Sequence, residues 1–316
     1  MATNVNRGNV DRWKRDIAAS VDFYNQWFLK FAPRTFRDER NRSVRLVRET
    51  FRLTRDGSVV SGDLLLTHPE VLPILRQMTC PPVARDRLAG LANLPPSVVK
   101  RFEDGKLPRN AAEKSALGIS AVLRRLLDED LMPWIVRDDG NRPSAEQKDR
   151  AFLIIADRLC GALSDPLIRN AQEKRQLASI SRFLEERGYR RANVVSHEEL
   201  KPGEFAFHLN VKVLHGLHAE GTVKIPVDVA ILPKRACAGD MPLIVEAKSA
   251  GDFTNVNKRR KEEAQKIAQL KRTYGDVNFV LFLCGYFDSG YLGYEAAEGI
   301  DWIWEHRISD MEKLGL

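Results

Sequence analysis

Apolar residues change their spacing along the chain. Up to about residue 136 they recur three and four positions apart, as in VDFYNQWFLKF (21–31) and AVLRRLLDEDLMPWI (121–135), which predicts a mainly helical region. The stretch RDDGNRPSAEQKD (137–149) then replaces periodicity with charge, Gly, Pro and Ser, and is read as a domain boundary. A helical run follows from about 150 to 187. Beyond it, FAFHLNVKVLH, TVKIPVDVAIL, PLIVEAK, VNFVLFLCG and DWIWEHR read as strands, with a polar helix over about 255–274 between the third and fourth. This order predicts an α/β (α+β) chain: a mixed β-sheet flanked by helices over 150–316, preceded by a mainly α-helical domain over 1–140.

Composition narrows the class. Fifty Lys and Arg against 43 Asp and Glu leave a net charge of +7, mildly favourable for a polyanionic partner. The cysteines at 80, 160, 237 and 284 lack paired metal-ligand spacing and read as reduced thiols. No apolar h-region occupies the first residues, and the longest apolar run, 279–287, is far below the roughly 20 residues of a membrane helix. A cytoplasmic protein is expected.

Two of the strands carry charges that packing does not explain. In PLIVEAK, Glu246 and Lys248 share one face of a strand whose other face is Leu243, Val245 and Ala247. The preceding strand carries Asp228 among apolar neighbours. An antiparallel hairpin in which Leu232 faces Pro242 puts Asp228 opposite Glu246, and like charges so placed destabilise a sheet unless a cation joins them. All-oxygen ligation suits Mg²⁺, which leaves positions for water and a substrate phosphate. Lys248 could then stabilise phosphorane charge or orient the attacking water. The bland alternative is a salt bridge at a strand edge. A third carboxylate, Glu173, extends the helical stripe of Leu177, Ile180 and Leu184 by one turn. It either reaches solvent or faces inward as a ligand, and the sequence leaves both open.

Two basic features point to DNA. Within the N-terminal region, 87–109 reads as two short helices joined at Asn93-Leu94-Pro95, with Leu88, Ala89 and Ala92 inward on the first and Val98, Val99 and Phe102 inward on the second. Ser97, Lys100 and Arg101 point outward. The pair, at about 85–109, resembles the helix-turn-helix of phage-repressor-like regulators, whose second helix enters the major groove. After the Glu246 strand, Asn257, Lys258 and Arg259 in NVNKRRKEEAQK are placed to reach DNA near a cleaved phosphate, although such runs are often only solvated.

PVD at 226–228 and EAK at 246–248 resemble the PD-(D/E)XK nuclease motif, with Val227 inserted between proline and aspartate. WKRDIAASVDFYNQWFLKFAP, EAKSAGDFTNVNKRRKEEAQK and GIDWIWEHRISD resemble XamI-type type II restriction endonucleases, so the likeness runs along nearly the whole chain. It implies a PD-(D/E)XK core in which Asp228 and Glu246 bind Mg²⁺ and Lys248 assists hydrolysis of double-stranded DNA at a specific short sequence. It also implies a homodimer matched to a palindromic site, a cognate DNA methyltransferase, and a bacterial or archaeal cytoplasm. Another nuclease of the superfamily (a junction resolvase or repair nuclease) and a non-enzymatic helix-turn-helix regulator are the competing readings.

Overall fold

The computed structural model describes residues 4–135, 143–215, 221–253 and 256–316, with the backbone alone at 215 and 256–262. Helices α1 (Val10–Leu53), α2 (Gly62–Thr67), α3 (Leu72–Gln77), α4 (Arg85–Leu91), α5 (Pro96–Glu103) and α6 (Ala112–Leu126) come first, then α7 (Ala145–Glu186). Strands β1 (Arg190–Arg191), β2 (Glu204–His215), β3 (Gly221–Leu232) and β4 (Leu243–Ala250) follow. They lead into α8 (Val256–Tyr274), β5 (Phe279–Gly285), α9 (Ser289–Ala297) and β6 (Asp301–Trp304). The chain is α+β. Among the described residues no helix is long and apolar enough to cross a membrane.

The chain divides into two compact units, 32–168 and the pair of segments 4–31 with 169–316, so α1 and α7 each contribute to both. The first residues join the sheet-bearing unit because they have specific partners there. The Asn6 side-chain amide donates to the Trp302 carbonyl at 2.8 Å, and Asp301 Oδ1 accepts from Asn6 N at 3.0 Å. Arg307 pairs with Asp16 at 2.7 Å, and Trp13 meets Trp302 edge-on with ring centroids 5.5 Å apart. The expected boundary at 137–149 lies in part, at 137–142, outside the described residues. Its remainder enters α7, which starts on a capping box: Ser144 Oγ accepts from Gln147 N at 3.1 Å while Gln147 Oε1 accepts from Ser144 N at 2.9 Å.

In the helical unit, α4 and α5 pack through buried Leu88, Ala89, Val99 and Phe102 onto a core with Leu72, Ile119 and Leu123. Asn93 turns between them with φ +53°, and Gly105 ends α5 in the left-handed region.

The other unit holds a six-stranded mixed sheet in sequence order. Strands β2, β3 and β4 form an antiparallel meander, whereas β4, β5 and β6 run parallel, with α8 and α9 as the crossovers. One face packs on Ile267 and Leu270 of α8 and on Tyr291 and Leu292 of α9. The other packs on Leu177, Ile180 and Leu184 of α7. Covering both faces is what makes β5 apolar throughout, since a parallel central strand has no wet side.

One rung of the meander breaks the alternation. On β3, Val223, Ile225 and Val227 face α8, and the next residues to do so are Ala230 and Leu232, an interval of three. On β2, Val213, Val211 and Leu209 face α8 and are followed by Ala206, again an interval of three. The register is unbroken, with Phe207 opposite Val229 and Leu209 opposite Val227. Both strands therefore change face at the rung shared by His208 and Asp228, and His208 takes φ +54° there.

Candidate active site

β3 and β4 pair with Ile231 opposite Leu243 and Val229 opposite Val245. One step further along this register Asp228 stands opposite Glu246, but there side chains replace the ladder. Asp228 Oδ2 accepts from Ala247 N at 2.9 Å, and Glu246 Oε1 lies 3.4 Å from Asp228 N. The change of face at Asp228 turns its side chain toward α7, whereas Glu246 stays on the α8 side.

Glu246 is 1% exposed and held between two ammonium groups. Lys266 of α8 reaches its Oε1 at 2.7 Å and also donates to the Pro226 carbonyl at 2.7 Å. Lys248 lies 3.4 Å from its Oε2 and 3.7 Å from Glu263 Oε1. Glu263 Oε2 accepts in turn from the Tyr291 hydroxyl at 2.7 Å. Burial works against the charge on Lys248, but the carboxylates of Glu246, Glu263 and Asp228 outweigh it and raise its pKa above the ordinary lysine value. Lys248 is thus a fixed cation. Asp228 has the opposite problem: burial and the neighbouring Glu246 carboxylate push its pKa up.

On the α7 side, Arg169, Gln172, Glu173 and Gln176 face Asp228, Lys248 and Ser249 across an open cleft of about 330 Å³. Gln176 fixes the helix to the sheet by donating to the carbonyls of Lys248 and Phe282, both at 3.2 Å. Glu173 is exposed, and with His208 and Asp228 it forms a group whose potential ligand atoms all lie within 4.8 Å of one another. Two carboxylates and an imidazole suit a divalent cation. Glu246, already bound to two lysines, is outside this group.

Of the residues singled out by sequence, Asp228, Glu173 and Lys248 line one cleft, with Glu246 buried against Lys248. Ser97, Lys100 and Arg101 lie in the helical unit, all exposed on α5, where the Arg101 guanidinium donates to the Leu107 carbonyl at 3.1 Å. The side chains of Asn257, Lys258 and Arg259, on the first turns of α8, lie outside the described residues. His208, Glu263, Lys266 and Gln176 were not anticipated. The signal for two of them was present: Glu263 and Lys266 continue the stripe of Ile267, Leu270 and Tyr274, just as Glu173 continues that of α7.

A cleft that combines carboxylates, an imidazole and a lysine held protonated is equipped for hydrolysis of an anionic substrate. The chain belongs to the XamI restriction endonuclease family, whose profile matches residues 57–304. It is also 45% identical, over 319 aligned residues, to the type II restriction enzyme SalI of Streptomyces albus G, a match covering 98% of this chain and 99% of that protein. No solved structure matches it.

Proposed function

We propose that this chain is a type II restriction endonuclease that hydrolyses phosphodiester bonds of double-stranded DNA at a specific short sequence, with Mg²⁺, on a PD-(D/E)XK nuclease core. The observation that carries the reading is the convergence of Asp228, Glu173 and Lys248 on one open cleft beside Glu246, in a chain of a restriction endonuclease family. The donors fit the metal. Asp228 and Glu173 supply carboxylate oxygens close enough to share a cation, and the raised pKa of Asp228 reflects a carboxylate that gains from one. The PD-(D/E)XK assignment adds Glu246 as a further ligand, although here its carboxylate is engaged by Lys248 and Lys266.

Bound Mg²⁺ supplies a polarised phosphoryl oxygen and a water of lowered pKa. The chain's own residues do the rest. Asp228 and Glu173 would hold the cation, and Lys248 places a positive charge beside the phosphoryl oxygens, where negative charge accumulates in the transition state. The bond from the water oxygen to phosphorus forms as the bond to a deoxyribose oxygen breaks; the attacking water gives up a proton to solvent and the leaving oxygen takes one from solvent, so that it departs as a hydroxyl. DNA contacts are assigned to Ser97, Lys100 and Arg101 on the helix-turn-helix of the helical domain and to Asn257, Lys258 and Arg259 beside the site. A homodimer follows if the site read is palindromic, because the symmetry of the protein then matches that of the DNA. A cognate methyltransferase would protect the host's own sites, which places the enzyme in the cytoplasm.

Unmethylated plasmid incubated with Mg²⁺ is expected to give discrete fragments and to stay intact in EDTA; intact plasmid under every divalent metal overturns the reading. Lys248→Ala and Glu246→Gln should each slow cutting by at least about a hundredfold. Both should still bind the same DNA in Ca²⁺, and full cleavage by either shows that the site is elsewhere.

A further inference from the structure

α7 lines a second concavity, of about 470 Å³, whose far wall is Arg191 of β1 with Phe207 and His208 of β2. His208 belongs both to this groove and to the Glu173–Asp228 group, so the groove opens from the candidate active site. Its charge is one-sided. Lys174, Arg182 and Arg191 are all exposed, and no carboxylate among the described residues lies within ion-pairing distance of any of them. The one carboxylate in the lining, Glu185, is one turn beyond Arg182 on α7 and accepts from the Ser181 hydroxyl at 2.8 Å. The Arg191 guanidinium lies 4.8 Å over the Phe207 ring, which covers one face of the cation and leaves its in-plane donors available.

Basic residues on a convex helix face are usually only solvated. Here the cations stand on both walls of a groove whose lining also includes Leu177 and Phe207, and low-dielectric walls concentrate the field. Their spacing also matches a nucleic-acid strand. Lys174 and Arg182 are eight residues apart on one face of α7, about 12 Å at 1.5 Å per residue. A row of about 12 Å is long enough to meet at least two successive phosphates of one strand.

We propose that this groove carries the DNA strand flanking the cleaved bond, with Lys174, Arg182 and Arg191 on its phosphates. The proposal rests on the endonuclease reading above, but concerns contacts that are independent of base sequence. Each phosphate neutralised contributes about 0.9 to the slope of log affinity against log salt.

The test is the anisotropy of a labelled duplex, with and without the mapped cut site, titrated with the full chain in Ca²⁺ over roughly 50 to 200 mM salt. Arg182→Ala/Arg191→Ala should make the slope shallower by about 2 on both duplexes, whereas Arg182→Lys/Arg191→Lys should keep it. Cutting should weaken in parallel with binding while the cut positions stay those of the parent chain. An alanine variant with the parent slope overturns the proposal. So does a lysine variant that loses as much as the alanine one, because packing and not charge would then be responsible. A parent chain that binds with the steep slope but never cuts refutes the endonuclease reading and leaves the groove standing.

Discussion

Asp228 is placed at a cost to the fold. It stands opposite Glu246 in the strand register with its side chain on the other face, and burial together with that neighbouring charge raises its pKa. A raised folded-state pKa in an acid means that the folded chain resists ionisation. The associated stability is present below the ordinary carboxylate value and is lost as pH rises through the folded value. At neutral pH the charge is therefore a burden, chiefly because it is buried. Asp228→Asn keeps an oxygen to accept from Ala247 N and removes the charge. It is expected to raise Tm at pH 7.5 to 8 by roughly 2 to 4 °C while abolishing cutting. The difference in Tm should shrink as pH falls toward the ordinary carboxylate range, and a variant less stable than the parent at neutral pH contradicts this account. At this scale the sequence was informative where residues are close along the chain or follow strand register, as Asp228, Glu246 and Lys248 do. His208 escaped because its placement depends on a left-handed residue inside a strand, which nothing in FAFHLNVKVLH announces.

Among elements, the parallel end of the sheet depends on Gly285, where β5 closes against β4. Its φ is +99°, and a Cβ there would stand 2.1 Å from the Ala250 carbonyl oxygen. Gly285 N donates to Ser20 Oγ at 2.8 Å, and Tyr286 N donates to the same Ala250 carbonyl at 3.0 Å, so the backbone has no room to relax. Gly285→Ala should cost on the order of 3 kcal/mol by urea denaturation. Gly161→Ala is the contrast: it lies within α7 with nothing within 4 Å of its would-be Cβ, and should gain roughly 0.5 to 1 kcal/mol. Equal effects would show that close approach is not what glycine provides at 285. Elements were legible where periodicity is strong: the meander, α8 and the β5 run sit close to their expected positions. The start of α7 was not, since Pro143 and Ser144 resemble a loop while Ser144 and Gln147 together form a helix-starting pair. The assignment of 4–31 to the sheet-bearing unit was also hidden, because Asn6 and Asp16 find Trp302 and Arg307 across nearly 300 positions of sequence.

For the molecule as a whole, pH acts on stability through groups of opposite sign. Asp228 and Glu305 have raised values, chiefly through burial, and oppose folding as pH rises through those values. His197 and His306 have lowered ones, again chiefly through burial. For a histidine with a depressed folded-state pKa the unfolded chain binds the extra proton first. The stability it confers is present above the ordinary value near 6.5 and is lost as pH falls through the folded value. His197 is the better probe of the two. It is 5% exposed, its ring meets Tyr274 edge-on with centroids 5.3 Å apart, and its Nδ1 has no hydrogen-bond partner among the described residues. His197→Phe preserves the aromatic contact and removes the titration. Thermal melts of parent and variant should run parallel above about pH 7 and diverge below about pH 6.5, the parent losing Tm faster. Comparing the two chains at each pH cancels the opposing carboxylates, which both retain. A gap that stays constant down to about pH 5 would mean that His197 is already hydrated in the folded chain and that acid sensitivity arises elsewhere.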